Sequence, residues 1–270
     1  MRWRRWLVGL ALFVLGVLML APLAWMIGES FTDRRYALRL PPNWIPDPFT
    51  VQNYRDVKDL IPFARMARNS LIVATISTAG SMFVAVLAAY AFSRLRFPGR
   101  ERIFLLMLSA MMIPGQMTVI PVFILLRNLG LLDSLPALWL PALINVFAIF
   151  FFRQYFNTIP RELDEAARID GANNAWILFR VIVPLSGPAL AAMTILSFEA
   201  SWNSYFGPLI FITSKENMTL PLGLVTLHTQ GGGAVLVFAA ITAVVVPVLV
   251  VFLIFQRTFV RSIAAVGVRG

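Results

Sequence analysis

The chain's 270 residues include 13 aspartates and glutamates, one histidine and no cysteine. Without cysteine there is no disulfide, thiolate nucleophile or thiolate metal site, and His228 alone cannot make a histidine cluster. No G-x-x-x-x-G-K-[ST] run occurs, so the chain lacks that means of cradling nucleotide phosphates. No catalytic set and no metal site are expected. Two places keep chemical interest. One is Glu199, a carboxylate inside a long apolar stretch. The other is a polar loop with Glu162, Asp164 and Glu165 close together. At helical spacing Glu199 shares a face with Trp202, Asn203 and Phe206. Rings stack on apolar sugar faces, and acids and amides meet hydroxyls, so this set suits a substrate path. A pairing of Glu199 with a buried arginine or amide that packs two subunits together is the equal alternative.

These groups sit in a chain that is 59% hydrophobic and only 13% charged, with mean hydropathy +0.78. Soluble domains carry about 25% charged residues, so this composition implies an integral membrane protein. The net charge of +10 is then a matter of membrane orientation, with no nucleic acid partner expected. A span needs about 20 apolar residues. Runs free of charge place spans at 6–28, 69–93, 103–126 and 134–152. A fifth is expected near 188–212, with Glu199 inside it, and a sixth at 234–256. The runs are continuous rather than alternating, which favours helices over a barrel. The expected class is therefore all-α, polytopic, with six transmembrane helices.

Arginine and lysine are biased to one side. With the N-terminus inside, the cytoplasmic segments hold three, four, four and three arginines. The outside holds seven basic residues in 29–68, plus Arg127 and Lys215. Both termini are thus expected in the cytoplasm. The first apolar run exceeds a signal peptide's usual core, so an uncleaved helix is expected. Segment 29–68, with Pro41, Pro42, Pro46 and Pro48, reads as extended or turn-rich, followed by a short interfacial helix over 50–58. Pro114 and Pro121 are expected to kink span three. Asn145 reads as an interhelical hydrogen bond, and Ala74, Ser77, Thr78 and Ser81 as helix packing. His228 is placed on an outer loop. The expected division is 1–68, a first helix and extracytoplasmic loop; 69–260, a core of five helices; and 261–270, a cytoplasmic tail.

Between spans four and five runs RQYFNTIPRELDEAARIDGANNAWILFRVIVPLSGPAL. Pro160 suits a helix's first turn, and the acids after it suit the positive end of the dipole. Gly171 ends that helix, and Asn173 or Asn174 caps a second one through Phe179. Pro184 and Pro188 mark re-entry into the membrane. The product is a helix–turn–helix on the cytoplasmic face, shaped to dock into a groove of another protein.

The segment EAARIDGANNAWILFRVIVP resembles the loop signature of binding-protein-dependent ABC importer permeases. The Glu-Ala-Ala, the glycine and the nine residues before the apolar-proline end are all in register, with Val181 and Val183 replacing Ile and Leu. The stretches RNSLIVATIST, AAYAFSRLRFPGR, MMIPGQMTVIPVFILLRNLGLLDS and SWNSYFGPLIF extend the likeness to the carbohydrate-uptake branch. Within it, the chain is similar to the second, shorter permease of maltose-type systems. The ending AAVGVRG departs from the family's usual Gly-Ala-x-Lys-Gly. The resemblance implies a type I importer fold with a coupling helix between spans four and five. It implies a partner permease, two ATP-binding subunits that hold ATP and Mg, and an extracytoplasmic solute-binding protein. This chain itself would hold no cofactor and hydrolyse no ATP. Coupling would fall on Glu165, Ala166, Ala167, Asp170, Gly171, Phe179 and Pro184. The cargo would be a sugar or oligosaccharide, or else a glycerol phosphodiester or polyol. A stand-alone secondary transporter would need repeats or several intramembrane charges, and neither is evident.

Overall fold

The computed structural model describes residues 2–39, 44–229 and 233–267. Pro41, Pro42 and the last three residues of the ending, Val268, Arg269 and Gly270, on which the sequence reading drew, lie outside them. The described residues form helices and one isolated antiparallel bridge, Thr32 to Phe49. Among the described residues, four helical stretches are long and apolar enough to cross a membrane: Trp6–Ser30, Phe63–Arg94, Pro136–Thr158 and Gly233–Gln256. Two bent pairs, Arg100–Met112 with Gly115–Asn128 and Asn174–Leu185 with Gly187–Trp202, raise the number to six if each is one span. The chain divides into two compact units.

The first unit comprises 1–67 and 220–247. Helix α1 (Arg2–Ser30) exposes large apolar side chains along most of its length, as a lipid-facing helix does. Its end is tied into a small folded cap. Asn53, on α2 (Gln52–Leu60), donates to the carbonyls of Ser30 at 2.9 Å and Thr32 at 2.8 Å. Phe31 stacks on Phe49 and tilts against Tyr54. The start of the proline-containing segment is therefore pinned to α2 by buried amide bonds.

The second unit comprises 68–219 and 248–270. Most of α3 (Phe63–Arg94) belongs to it, and Ala85 and Ala89 of that helix are fully buried. These small side chains share a core with Phe152, Phe156, Ile177 and Ile182. The region expected as the third span is two helices, α4 (Arg100–Ser109) and α5 (Val119–Asn128), with a 95° bend between their extended pieces. Pro114, at φ −57° and ψ 133°, sits in that break, and Pro121 lies in the first turn of α5. Only Pro114 bends the chain. A proline in a helix's first turn removes no hydrogen bond.

The fourth stretch is also interrupted. It comprises α6 (Pro136–Trp139), a 3-10 turn and α7 (Val146–Thr158). Asn145 is the N-cap of α7, accepting from the Ala148 N–H at 3.0 Å. It serves its own helix, which corrects the interhelical reading.

Candidate coupling interface and transport path

Chain leaving α7 passes through Ile159, whose extended backbone suits a residue before proline. Helix α8 (Glu162–Ile169) begins two residues beyond Pro160, with Glu162, Asp164 and Glu165 in its first turn. The positive end of the helix dipole favours carboxylates there. One face of α8 turns inward through Asp164 and Ala167; the other leaves Leu163, Glu165, Ala166 and Ile169 exposed. The end of α3 anchors the inward face. Arg94 donates to the Ile159 carbonyl at 2.7 Å, and its Nε lies 3.2 Å from Asp164 Oδ2. Both side chains are at least nine-tenths buried. Pairing, with Arg94 also bonded to Ile159, is the form in which buried charge is tolerated, although Asp164 Oδ1 has no hydrogen-bond partner among the described residues.

Helix α8 stops with Gly171 in the left-handed region, φ +84°. The Gly171 N–H bonds the Arg168 carbonyl at 3.0 Å, and the Ala172 N–H reaches back to Ala167 at 2.9 Å. These two bonds are the Schellman pattern that glycine favours at a helix end. Asn173 then caps α9 (Asn174–Ile177), accepting from the Trp176 N–H at 2.8 Å. The second helix runs past Phe179 as a π-helical stretch, Leu178–Ile182, into α10 (Val183–Leu185). Pro184 has no N–H to give the Arg180 carbonyl and its ring crowds that group, so the helix widens before it.

Of the residues nominated for coupling, Glu165, Ala166, Asp170, Gly171, Phe179 and Pro184 are exposed. Ala167 is not, and packs inside the unit near Ile177 and Leu178. The exposed apolar tips also include Trp176 and Ile169, which the nomination missed. The anchoring pair was missed too. In sequence Arg94 is one of the arginines that set orientation and Asp164 an acid at the dipole's positive end, and no local spacing joins them.

The expected fifth span, 188–212, is not one helix. Helix α11 (Gly187–Trp202) ends at Asn203, and α12 (Phe206–Phe211) follows a break. Asn and Ser compete for backbone hydrogen bonds, and Asn203-Ser204 sits at the break. The pair with span character is instead 174–185 with 187–202, bent by 80°. Glu199 is thus on the last turn of α11, where Asn203 Nδ2 donates to its Oε1 at 2.7 Å. Both are exposed. Trp202 leaves that face. It is 1% exposed and stacks on Phe198. Phe206 is exposed on the next helix.

The Asn203–Phe206 break leads to a knot between two loops. Asp133, half-buried with φ +56°, accepts from the N–H groups of Thr213 and Ser214 and from the Ser214 hydroxyl, at 2.8–2.9 Å. Asn217 Nδ2 returns a bond to the Asp133 carbonyl at 2.6 Å. The Ser214 and Thr213 N–H groups hold the Asp133 carboxyl below its usual pKa. Asn69 adds bonds to the carbonyls of Glu216 and Met218.

Residues 81–265 match the family model described as the binding-protein-dependent transport system inner membrane component. The chain belongs to this family. The permease is 35% identical to the inner membrane ABC transporter permease protein YcjP of Escherichia coli K12, over 97% of this chain and 95% of that one. It is 38% identical to the arabinooligosaccharides transport system permease protein AraQ of Halalkalibacterium halodurans, over 75% and 73%. It superposes with TM-score 0.83 and 26% identity on a chain of a bacterial ABC transporter involved in import of the acidic polysaccharide alginate, covering 96% and 97%. The permease is therefore an inner-membrane component of a transport system that depends on a binding protein.

In the first unit, residues 220–229, ahead of the span expected at 234–256, form α13 (Leu220–Thr229), with Pro221 in its first turn. Gly223 is needed there because a Cβ would collide with the Met66 sulfur. His228 is exposed on the last turn of α13 rather than on a loop. Helix α14 (Gly233–Gly267) follows, with Phe238 edge-on to Trp25 of α1.

Proposed function

We propose that this chain is one of two pore-forming permeases of an ATP-driven importer for a sugar or oligosaccharide. A solute-binding protein delivers the cargo on the outer side, and two ATP-binding subunits, holding ATP and Mg, drive the cycle. The membrane core is 69–260, crossed six times with 1–68, and both termini and the loop 153–187 lie in the cytoplasm. The exposed helix–turn–helix carries this reading. It presents Leu163, Ile169, Trp176 and Phe179 outward while a buried ion pair fixes its base. Unpartnered apolar side chains beside a rigid anchor suit a lever between two bodies. Glu165, Ala166, Asp170, Gly171, Phe179 and Pro184 form the docking side, and Ala167 holds the helix down.

A carboxylate facing lipid costs roughly 2.5–3.5 kcal/mol on insertion scales, so Glu199 with Asn203 faces the partner permease or the path. The sugar assignment draws on the relative named for arabinooligosaccharides. The test is reconstitution. This chain purified alone hydrolyses no ATP. With its partner permease and ATP-binding subunits in proteoliposomes, ATPase activity rises when loaded binding protein is added. Robust ATPase from the lone chain, or assembly only as a stand-alone exchanger, refutes the reading.

A further inference from the structure

Within the second unit, a cavity of about 380 Å³ lies among α3, the α6–α7 turn, α11 and α12. It is at the small end of the range of about 300–1,000 Å³ for ligand sites. Hydroxyls from two helices meet there: Ser77 on α3, and Ser197 and Ser201 one turn apart on α11. Ser204, Asn145 and Thr219 add polar groups from the segment ends. Small residues alone make only a packing seam, but this cavity has a second feature. The hydroxyls of Ser77, Ser197 and Thr219 are buried without a hydrogen-bond partner among the described residues, and Ser77 and Thr219 are each only 4% exposed. Buried hydroxyls are ordinarily paired, and serines in helices commonly bond their own backbone, as Ser81 does. Three that do not, on residues that line one cavity, leave unused bonding capacity in its wall, which a change of side-chain rotamer would turn toward something inside it.

The lining also sets a charge rule. No Asp, Glu, Lys, Arg or His is among the described lining residues, and the remainder is apolar, including Leu138, Pro208 and Phe211. An ionised phosphate or carboxylate there would lose water without gaining a counter-charge. A neutral polyol exchanges its water bonds for serine, threonine and asparagine bonds, with apolar wall against its C–H faces. We infer that this cavity is a binding site in the permease's own chain for one unit of an uncharged polyhydroxylated solute. The inference rests on the importer reading and narrows its cargo. It sets aside glycerol phosphodiesters and uronates, and it lies beside the residues nominated from sequence: Glu199, Trp202, Asn203 and Phe206 do not line the cavity.

The chain has no cysteine, so one introduced sulfhydryl can be followed by alkylation. The experiment uses the whole complex with Ser201→Cys, and Lys215→Cys as an exposed position outside the cavity. N-ethylmaleimide labelling of this chain is timed with arabinotriose, sn-glycerol 3-phosphate or a uronate trisaccharide present. At about ten times its Kd, arabinotriose slows labelling at position 201 by up to about tenfold and leaves 215 unchanged. Adding Ser77→Val abolishes the protection, while the two charged solutes give none. Equal protection by a charged solute overturns the neutral rule. Protection by none of them, with the wild-type complex importing arabinotriose normally, means a water-filled cavity and overturns the site alone. A complex that imports nothing and shows no ATPase response to its binding protein overturns the importer reading, and this site with it.

Discussion

At the residue scale, three carboxylates do different work because their surroundings differ. Asp164 is buried against Arg94. Asp164→Ala leaves a buried guanidinium unpaired and is expected to destabilise the second unit by about 3–5 kcal/mol. Thermal unfolding in detergent measures it, and Arg94→Met with Asp164→Leu should recover much of the loss. Asp133 instead gathers two N–H groups and a hydroxyl. Its folded pKa is lowered, so its stabilisation is present in full above the unfolded value of about 3.9. That stabilisation is lost as pH falls below 3.9 through the folded value. Asp133→Asn, which keeps the left-handed backbone accessible, should unfold earlier than wild type at pH 6. The gap should close in acid below that window, and a gap independent of pH would show that the carboxylate charge is irrelevant. Glu199 is exposed and bonded to Asn203. Glu199→Gln keeps the shape and removes the charge, and transport should fall while the complex still co-purifies. Loss of the partner permease instead would assign Glu199 to an inter-subunit ion pair.

At the element scale, the loop helix is defined by how it stops. A Cβ at Gly171 would touch nothing within 4 Å, so space does not require glycine there. The φ of +84° does. Gly171→Ala should cost only about 1 kcal/mol of backbone strain. Gly171→Pro both forbids the φ and removes the N–H bonded to Arg168. Glu165→Lys changes the charge of the exposed face and opposes the dipole. Gly171→Pro and Glu165→Lys should leave the chain inserted in the membrane but lower transport and retention of the ATP-binding subunit. Unchanged values in both assays would remove the lever role. The bent pairs belong to this scale too. Continuous apolarity gave no sign that Pro114 breaks its span while Pro121 does not. The difference lies in their distance from a helix start.

At the scale of the whole molecule, orientation is a sum over the chain. The arginines flanking the apolar runs make the short loops lopsided, and that bias directs insertion. A reporter fused after Arg269, or a tag in 153–187, should read as cytoplasmic in intact cells. Labelling of either by an impermeant reagent from outside would reverse the topology. Helix α1 bears on this sum as well, since its three arginines precede an apolar run of 23 residues.

The sequence by itself determined the membrane class, the approximate places of most spans and the helix–turn–helix with its glycine stop. These are local properties, set by composition, run length and capping chemistry, and each is read within a window shorter than one span. It did not reveal the Arg94–Asp164 pair, separated by 70 positions, or the Asp133 knot with 213–217, because no sequence spacing encodes contact between distant helices. It misplaced Trp202 because a face assigned by helical spacing says which residues align, not which way the aligned row points, and the helix ends there. It read Ser77 as packing because a small residue on a helix looks the same whether it meets a neighbour or a cavity. Tertiary structure decided those cases by bringing α3 and α11 to the same hollow, where hydroxyls lacking partners became visible. The physical reason is that burial and pairing are properties of contacts between segments, while helix formation and membrane insertion are properties of segments alone.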